Sequence, residues 1–146
     1  MQLRLERLAV TAHIDPVPVE PGGALAVPAN PGRVGWWQSG ARPGSGRGSV
    51  VIDGHVDDFR LGAGALFDLR RSRPGDVVAV RDTLGRSFRY VVTGLREYPK
   101  RTLPAAQVFA QGGPERLVLI TCGGAFDRRT RQYADNIVVY ALPAKR

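Results

Sequence analysis

The chain reads as an all-β protein, a closed barrel or a sandwich of short strands with one or two short helices. Three observations carry that reading. Short apolar runs recur along the 146 residues, with turn residues between them at regular spacing. The 18 glycines and 11 prolines make up about a fifth of the chain, high for a globular protein yet below the roughly 25–30% of disordered sequences. Little of the sequence keeps a helical period. The length suffices for one domain with a real core, and no linker or repeat divides it, so residues 1–146 are expected to form a single unit.

Residues 1–20 alternate loosely between apolar and polar positions and end in Pro16, Pro18 and Pro21. This predicts an edge strand running into an extended segment. Residues 21–48 are rich in glycine and proline, with apolar islands at 25–27 and 34–37; Trp36 and Trp37 are expected to pack over the core. A loop over 40–48 leads to a buried strand at 49–53, which stops at Gly54-His55. Residues 56–75 predict a short helix or an irregular loop, closed by a turn at Pro74-Gly75-Asp76. Residues 77–81 and 87–93 predict a hairpin across Asp82-Thr83-Leu84-Gly85, with Phe88, Tyr90 and Val92 sharing a face. Pro104 suits the first turn of a short helix over 104–111. The run 117–122 predicts a buried strand with a sharp exit at Gly123-Gly124, and 136–142 a last strand.

Net charge is +8, with arginines clustered at Arg70-Arg71-Ser72-Arg73 and Arg128-Arg129-Thr130-Arg131. Such a surface is either a solvated basic face or a face that attracts an anionic envelope or polymer. No stretch reaches the ~18 apolar residues that span a bilayer, and no secretory leader is visible. Phosphate-loop and dinucleotide motifs are absent, and one cysteine with two histidines at these spacings falls short of a zinc set. Neither a metal nor another cofactor is expected.

Cys122 is the only cysteine, so it forms no internal disulfide. It closes an apolar run just before a glycine pair, and His55 closes another just after a glycine. A thiol and an imidazole at two strand ends are the parts of a nucleophilic cysteine site. Imidazolium stabilises thiolate and can later protonate a leaving amine. The competing readings are a buried structural thiol and a turn histidine bonded to Asp53 or Asp57. His13, beside prolines, is expected to be structural. A thioester mechanism also needs a donor for the tetrahedral oxyanion. A backbone N–H near Gly123 or a guanidinium from residues 128–131 would serve.

At these residues the chain resembles the sortases, the Gram-positive cell-wall transpeptidases. Leu119-Ile120-Thr121-Cys122 is similar to their cysteine signature, and Asp53-Gly54-His55-Val56-Asp57 to their histidine segment. Val27-Pro28 with Val34-Gly35-Trp36-Trp37 resembles the stretch before it, and Gly75 to Val80 with Phe88 to Val92 the central hairpin. The segment from Thr121 to Asp127, with Tyr133 to Val139, is most like the actinobacterial class F. The resemblance implies an eight-stranded barrel with a Cys–His–Arg site. Its substrates would be surface proteins with an L-P-x-T-G type sorting signal, cut after threonine. The acyl group would be held as a thioester and passed to an amine of the cell-wall precursor.

The resemblance places Cys122 as nucleophile, His55 as acid and base, and Thr121 along the substrate groove. It also implies a monomeric ectodomain on the outer face of the membrane, whose N-terminal anchor this sequence lacks. The family arginine ordinarily opens the last strand, where this chain has Asn136, with Ala134 next outward on the same face. Arg131, ahead of Arg128, is therefore expected to take its role. Two rivals stand beside this reading. An L,D-transpeptidase expects histidine close before the cysteine, where Ile120-Thr121 stand. A non-enzymatic barrel that binds nucleic acid or wall polymer expects aromatics interleaved with cations on one strand face, of which only Phe88-Arg89-Tyr90 gives a hint; no nucleic-acid partner is expected.

Overall fold

Strands that are apolar at consecutive positions need cover on both faces. Two such strands, β4 (Ser49–Asp53) and β9 (Arg116–Asp127), lie side by side in parallel at the centre of the fold. In a computed structural model, which describes residues 1–145, they belong to a closed barrel of eight strands. The others are β1 (Gln2–Leu5), β2 (Val10–Val17), β3 (Val34–Trp37), β7 (Val77–Arg81), β8 (Ser87–Pro99) and β10 (Gln132–Pro143). Around the barrel the order is β1-β2-β3-β4-β9-β10-β8-β7, and β7 pairs with β1 to close it. A two-stranded hairpin of β5 (Asp57–Asp58) and β6 (Gly62–Ala63) lies outside the wall. Among the described residues the one α-helical turn, α1 (Ala105–Val108), follows Pro104 as expected.

Inward side chains fill the barrel: Leu3, Ile14, Val34, Val50, Ile52, Leu117 and Leu119 are each at most 1% exposed. Leu66 and Leu69, from the segment after β6, are fully buried against the same core. The outward side chains of β4, β9 and β10 form a second cluster of Val51, Val118, Ile120 and Val138. Val108 of α1 joins it, with Trp37 and Phe109 packed edge to face at 5.2 Å. Cover on both sides explains the unbroken apolar run that ends at Cys122.

The strands at 49–53 and 77–81 form with the expected bounds. The expected hairpin across 82–85 also forms, and Trp36 and Trp37 pack on the core, while at several other places the structure corrects the reading. Residues 1–20 make two paired strands, and β1 is no edge because β2 and β7 flank it. Their turn carries Ala9 at φ 54, a left-handed residue without the glycine that would signal it. Residues 56–75 hold the β5–β6 hairpin and a 3-10 turn at Leu69–Arg71 in place of a regular helix. β8 runs on to Pro99 and β10 starts at Gln132, both longer than expected. Gly123-Gly124 is no exit: β9 continues to Asp127, and the ladder with β10 shifts register between Tyr133 and Asp135. Gly124 has φ +74, and a Cβ there would lie 2.4 Å from an Asp135 carboxylate oxygen, so glycine lets the bulge form. Tyr90 is 1% exposed inside the barrel, so in this segment only Phe88, with Arg86 5.8 Å from its ring, meets a cation.

Candidate active site

The parallel register of β4 and β9 fixes where their ends emerge. Ser49 stands beside Arg116 and Asp53 beside Ile120. One step on, Thr121 Oγ1 donates to the carbonyl of Gly54 at 2.8 Å, a pair 67 positions apart, and Gly54 N–H donates to Ile120 O at 3.1 Å. The next residues in the same register are His55 and Cys122. Two parallel strands that leave the barrel at one rim thus deliver imidazole and thiol to neighbouring places.

Both line one cleft of about 500 Å³. Its His55 wall comes from Val56, Asp57, Asp58 and Phe59; Phe126, Arg131, Gln132 and Tyr133 form the facing wall, and Lys100 joins them from a 3-10 turn after β8. Cys122 is a half-buried free thiol. It points outward from the barrel like Val118 and Ile120, away from the inward-facing Leu117 and Leu119.

Arg131 reaches the cleft because the β9–β10 turn is tight. Asp127 O accepts from Arg131 N–H at 2.7 Å, and Asp127 Oδ1 accepts from Arg129 N–H at 2.8 Å. Arg131 takes φ 56 at the base of that turn, and its guanidinium lies 5.0 Å from the Phe59 ring centroid. Arg128, on the same turn, is exposed and is not among the lining residues. Asn136 is the cross-strand neighbour of Cys122 on β10, and Ala134 sits exposed at the bulge.

Thr121 does not line the cleft. Its side chain points into the barrel, 3% exposed, and ties β9 to the exit of β4. Strand alternation puts it on the face opposite Cys122. His13 lies on β2, 3.6 Å from Asp15 and outside the cleft. Neither possible partner of a merely structural His55 turns to it: Asp53 is enclosed in the barrel wall, and Asp57 accepts from the Tyr133 hydroxyl at 2.5 Å. That bond, with burial, pushes the Tyr133 pKa up to about 12. Backbone N–H groups of Leu61 and Arg60 hold the Asp58 carboxyl below its ordinary range. Sequence reasoning assigned no role to Tyr133, Phe59, Phe126 or Lys100. Their place in the cleft depends on a turn and a hairpin with no strong local signal.

The closed eight-stranded barrel is a fold seen in several solved structures. A sortase A from Corynebacterium diphtheriae, as a lid mutant, is 15% identical, with a TM-score of 0.74 over 99% of this chain and 69% of that one. Sortase C-1 from Actinomyces oris is 16% identical, with a TM-score of 0.74 over 99% and 71%. Sortase C1 of GBS Pilus Island 1 is 16% identical, with a TM-score of 0.73; the chain spans 64% of that protein. No curated protein sequence matches the chain. The sortase-domain family profile matches residues 3–144, and the chain belongs to the sortase family.

Proposed function

We propose that this chain is the catalytic domain of a cysteine transpeptidase of the class F type. It would cut an L-P-x-T-G type sorting signal after threonine and pass the acyl group to a cell-wall amine. The observation that carries this reading is the shared cleft of His55, Cys122 and Arg131, set by the β4–β9 register. Cys122 thiolate attacks the threonine carbonyl carbon, and the carbonyl electrons move to oxygen. Arg131 hydrogen-bonds that oxyanion. The C–N bond then breaks as His55 imidazolium protonates the departing glycine amine, leaving a thioester and neutral imidazole. In the second half the acceptor amine attacks the thioester, His55 takes its proton, and Cys122 leaves as thiolate.

Arg131 reaches the cleft from the turn while Arg128 lies outside it, which supports Arg131 as the third residue. We place the enzyme as a monomer on the outer face of the cell membrane, the setting in which sortase substrates and amine acceptors meet. No helix among the described residues is long and apolar enough to cross a membrane.

Mass spectrometry after incubation with an L-P-x-T-G peptide and an amine tests the proposal. Wild-type protein gains the mass of the acyl fragment, and an added amine releases it as the transfer product. Cys122→Ala gains nothing. Acylation of that variant, or no acylation of the wild type, overturns the reading.

A further inference from the structure

One contact across the cleft plays no part in the chemistry above. Tyr133 Oη donates to Asp57 Oδ2 at 2.5 Å between residues 76 positions apart. That is the length of a charge-assisted O–H···O⁻ bond. Its partners stand on opposite walls. Asp57 opens β5, two residues after His55, and Tyr133 lies on β10, paired with Phe126 of β9. The Tyr133 ring rests on Phe126 with centroids 4.9 Å apart, so the hydroxyl is aimed from a fixed base. The stack of Arg131 on Phe59 runs parallel to it, again from the turn wall to the His55 wall. The His55 wall needs such ties, because among the described residues β5 and β6 pair only with each other.

We propose that Tyr133 and Asp57 are positioning residues, a clamp that holds the His55 wall against the Cys122 wall and keeps imidazole and thiol as a working pair. The proposal rests on the reading of Cys122 and His55 given above. The charged or titratable groups around His55 in the cleft are Asp57 and Asp58 of β5, Lys100, Cys122 of β9, and Arg131 and Tyr133 of the β9–β10 hairpin. Asp58 Oδ1 accepts from the Arg60 and Leu61 N–H groups at 2.8 and 2.9 Å. Of the two carboxylates on β5, Asp58 is the one that feels the His55 charge, while Asp57 is held to the opposite wall by the Tyr133 hydroxyl. Loss of either partner of that bond lets the His55 wall loosen from the Cys122 wall. An imidazolium held less closely stabilises the thiolate less.

Tyr133→Phe tests this, since it keeps the ring on Phe126 and removes only the donor. Cys122 is the one thiol, so the pH dependence of alkylation by iodoacetamide reads its apparent pKa. That pKa rises by about one pH unit in Tyr133→Phe, while the unfolding temperature stays within about 4 °C of wild type. With a sorting peptide, kcat falls roughly 10–100-fold and KM changes less than about 3-fold. Asp57→Ala behaves alike, and the double variant is no worse than the worse single one. An unchanged thiol pKa and kcat in a folded Tyr133→Phe protein overturns the clamp, as do losses that multiply in the double variant. If the wild type forms no thioester with any sorting peptide, the transpeptidase reading falls. The alkylation profile, which needs no substrate, then decides the clamp alone.

Discussion

Asp53 puts a carboxyl inside the barrel wall, and its consequence for stability can be worked from the structure. The residue is 6% exposed, and its Oδ1 has no hydrogen-bond partner. It faces β3 at Gly35, where a Cβ would stand 2.8 Å from that oxygen and 2.9 Å from the Val17 methyls, so glycine makes the room. Burial pushes the pKa from 3.8 up to about 8, partly offset by a bond from the residue's own backbone N–H. The folded state therefore holds a proton that the unfolded chain has lost above about pH 4. Because the folded pKa is the higher one, this contribution to stability is fully present below 3.8 and is lost as pH rises through 8. Each pH unit between costs about 1.4 kcal/mol, or about 4 kcal/mol by pH 7. Asp53→Asn mimics the protonated acid and cannot ionise. Urea unfolding followed by Trp36 and Trp37 fluorescence at pH 5, 6 and 7 isolates the effect. The difference between variant and wild type should move in favour of Asn by about 1.4 kcal/mol per pH unit, whatever its offset at pH 5 from the added amide donors. A difference that stays constant from pH 5 to 7 would falsify the argument, because it means that Asp53 ionises in the folded barrel as it does in water.

Three further outcomes follow from the cleft and the core. His55→Ala should reduce turnover of a sorting peptide by about two to four orders of magnitude, while His13→Ala, out on β2, leaves it near wild type; equal losses would sink the assignment of roles. Arg131→Ala should lower kcat about 10²–10³-fold with a smaller change in KM, and lysine should restore little, since it lacks the planar fork. Arg128→Ala serves as the control from the same turn, and a loss there equal to that of Arg131→Ala contradicts the geometry. Glu115 accepts from Gly44 N–H at 2.9 Å, Gly46 N–H at 2.7 Å and the buried Tyr90 hydroxyl at 2.6 Å. Glu115→Gln replaces one acceptor oxygen with an NH₂ group facing a donor, so denaturant unfolding should show a loss of about 1–3 kcal/mol; unchanged stability means that the 40–48 loop is not held by this carboxylate.

What the sequence made legible, and what it did not, follows from the range of each interaction. The strands at 49–53 and 77–81 announce themselves because apolar runs and turn residues act locally. The two-strand start of the chain does not, because its turn relies on Ala9 in a left-handed conformation rather than on glycine. Gly123-Gly124 misleads in the opposite direction: glycine marks a bulge as readily as a turn, and only the ladder with β10 decides between them. Cys122 and His55 stood out by residue type, and their partnership was hidden in a number. Their separation equals the 67-residue offset at which Thr121 meets Gly54, and through parallel pairing it becomes adjacency. No sequence rule yields that offset before β4 is known to lie beside β9. The same reasoning separates the two loop arginines. Arg128 and Arg131 are alike in type and neighbourhood, and the turn closed by Asp127 distinguishes them by aiming one at the cleft. In the proposed mechanism the guanidinium comes from a turn, and such a turn must be held still. The Tyr133–Asp57 bond and the Arg131–Phe59 stack both tie the β9–β10 hairpin to the His55 wall, so the proposed clamp on His55 would also steady the base from which Arg131 would reach the oxyanion.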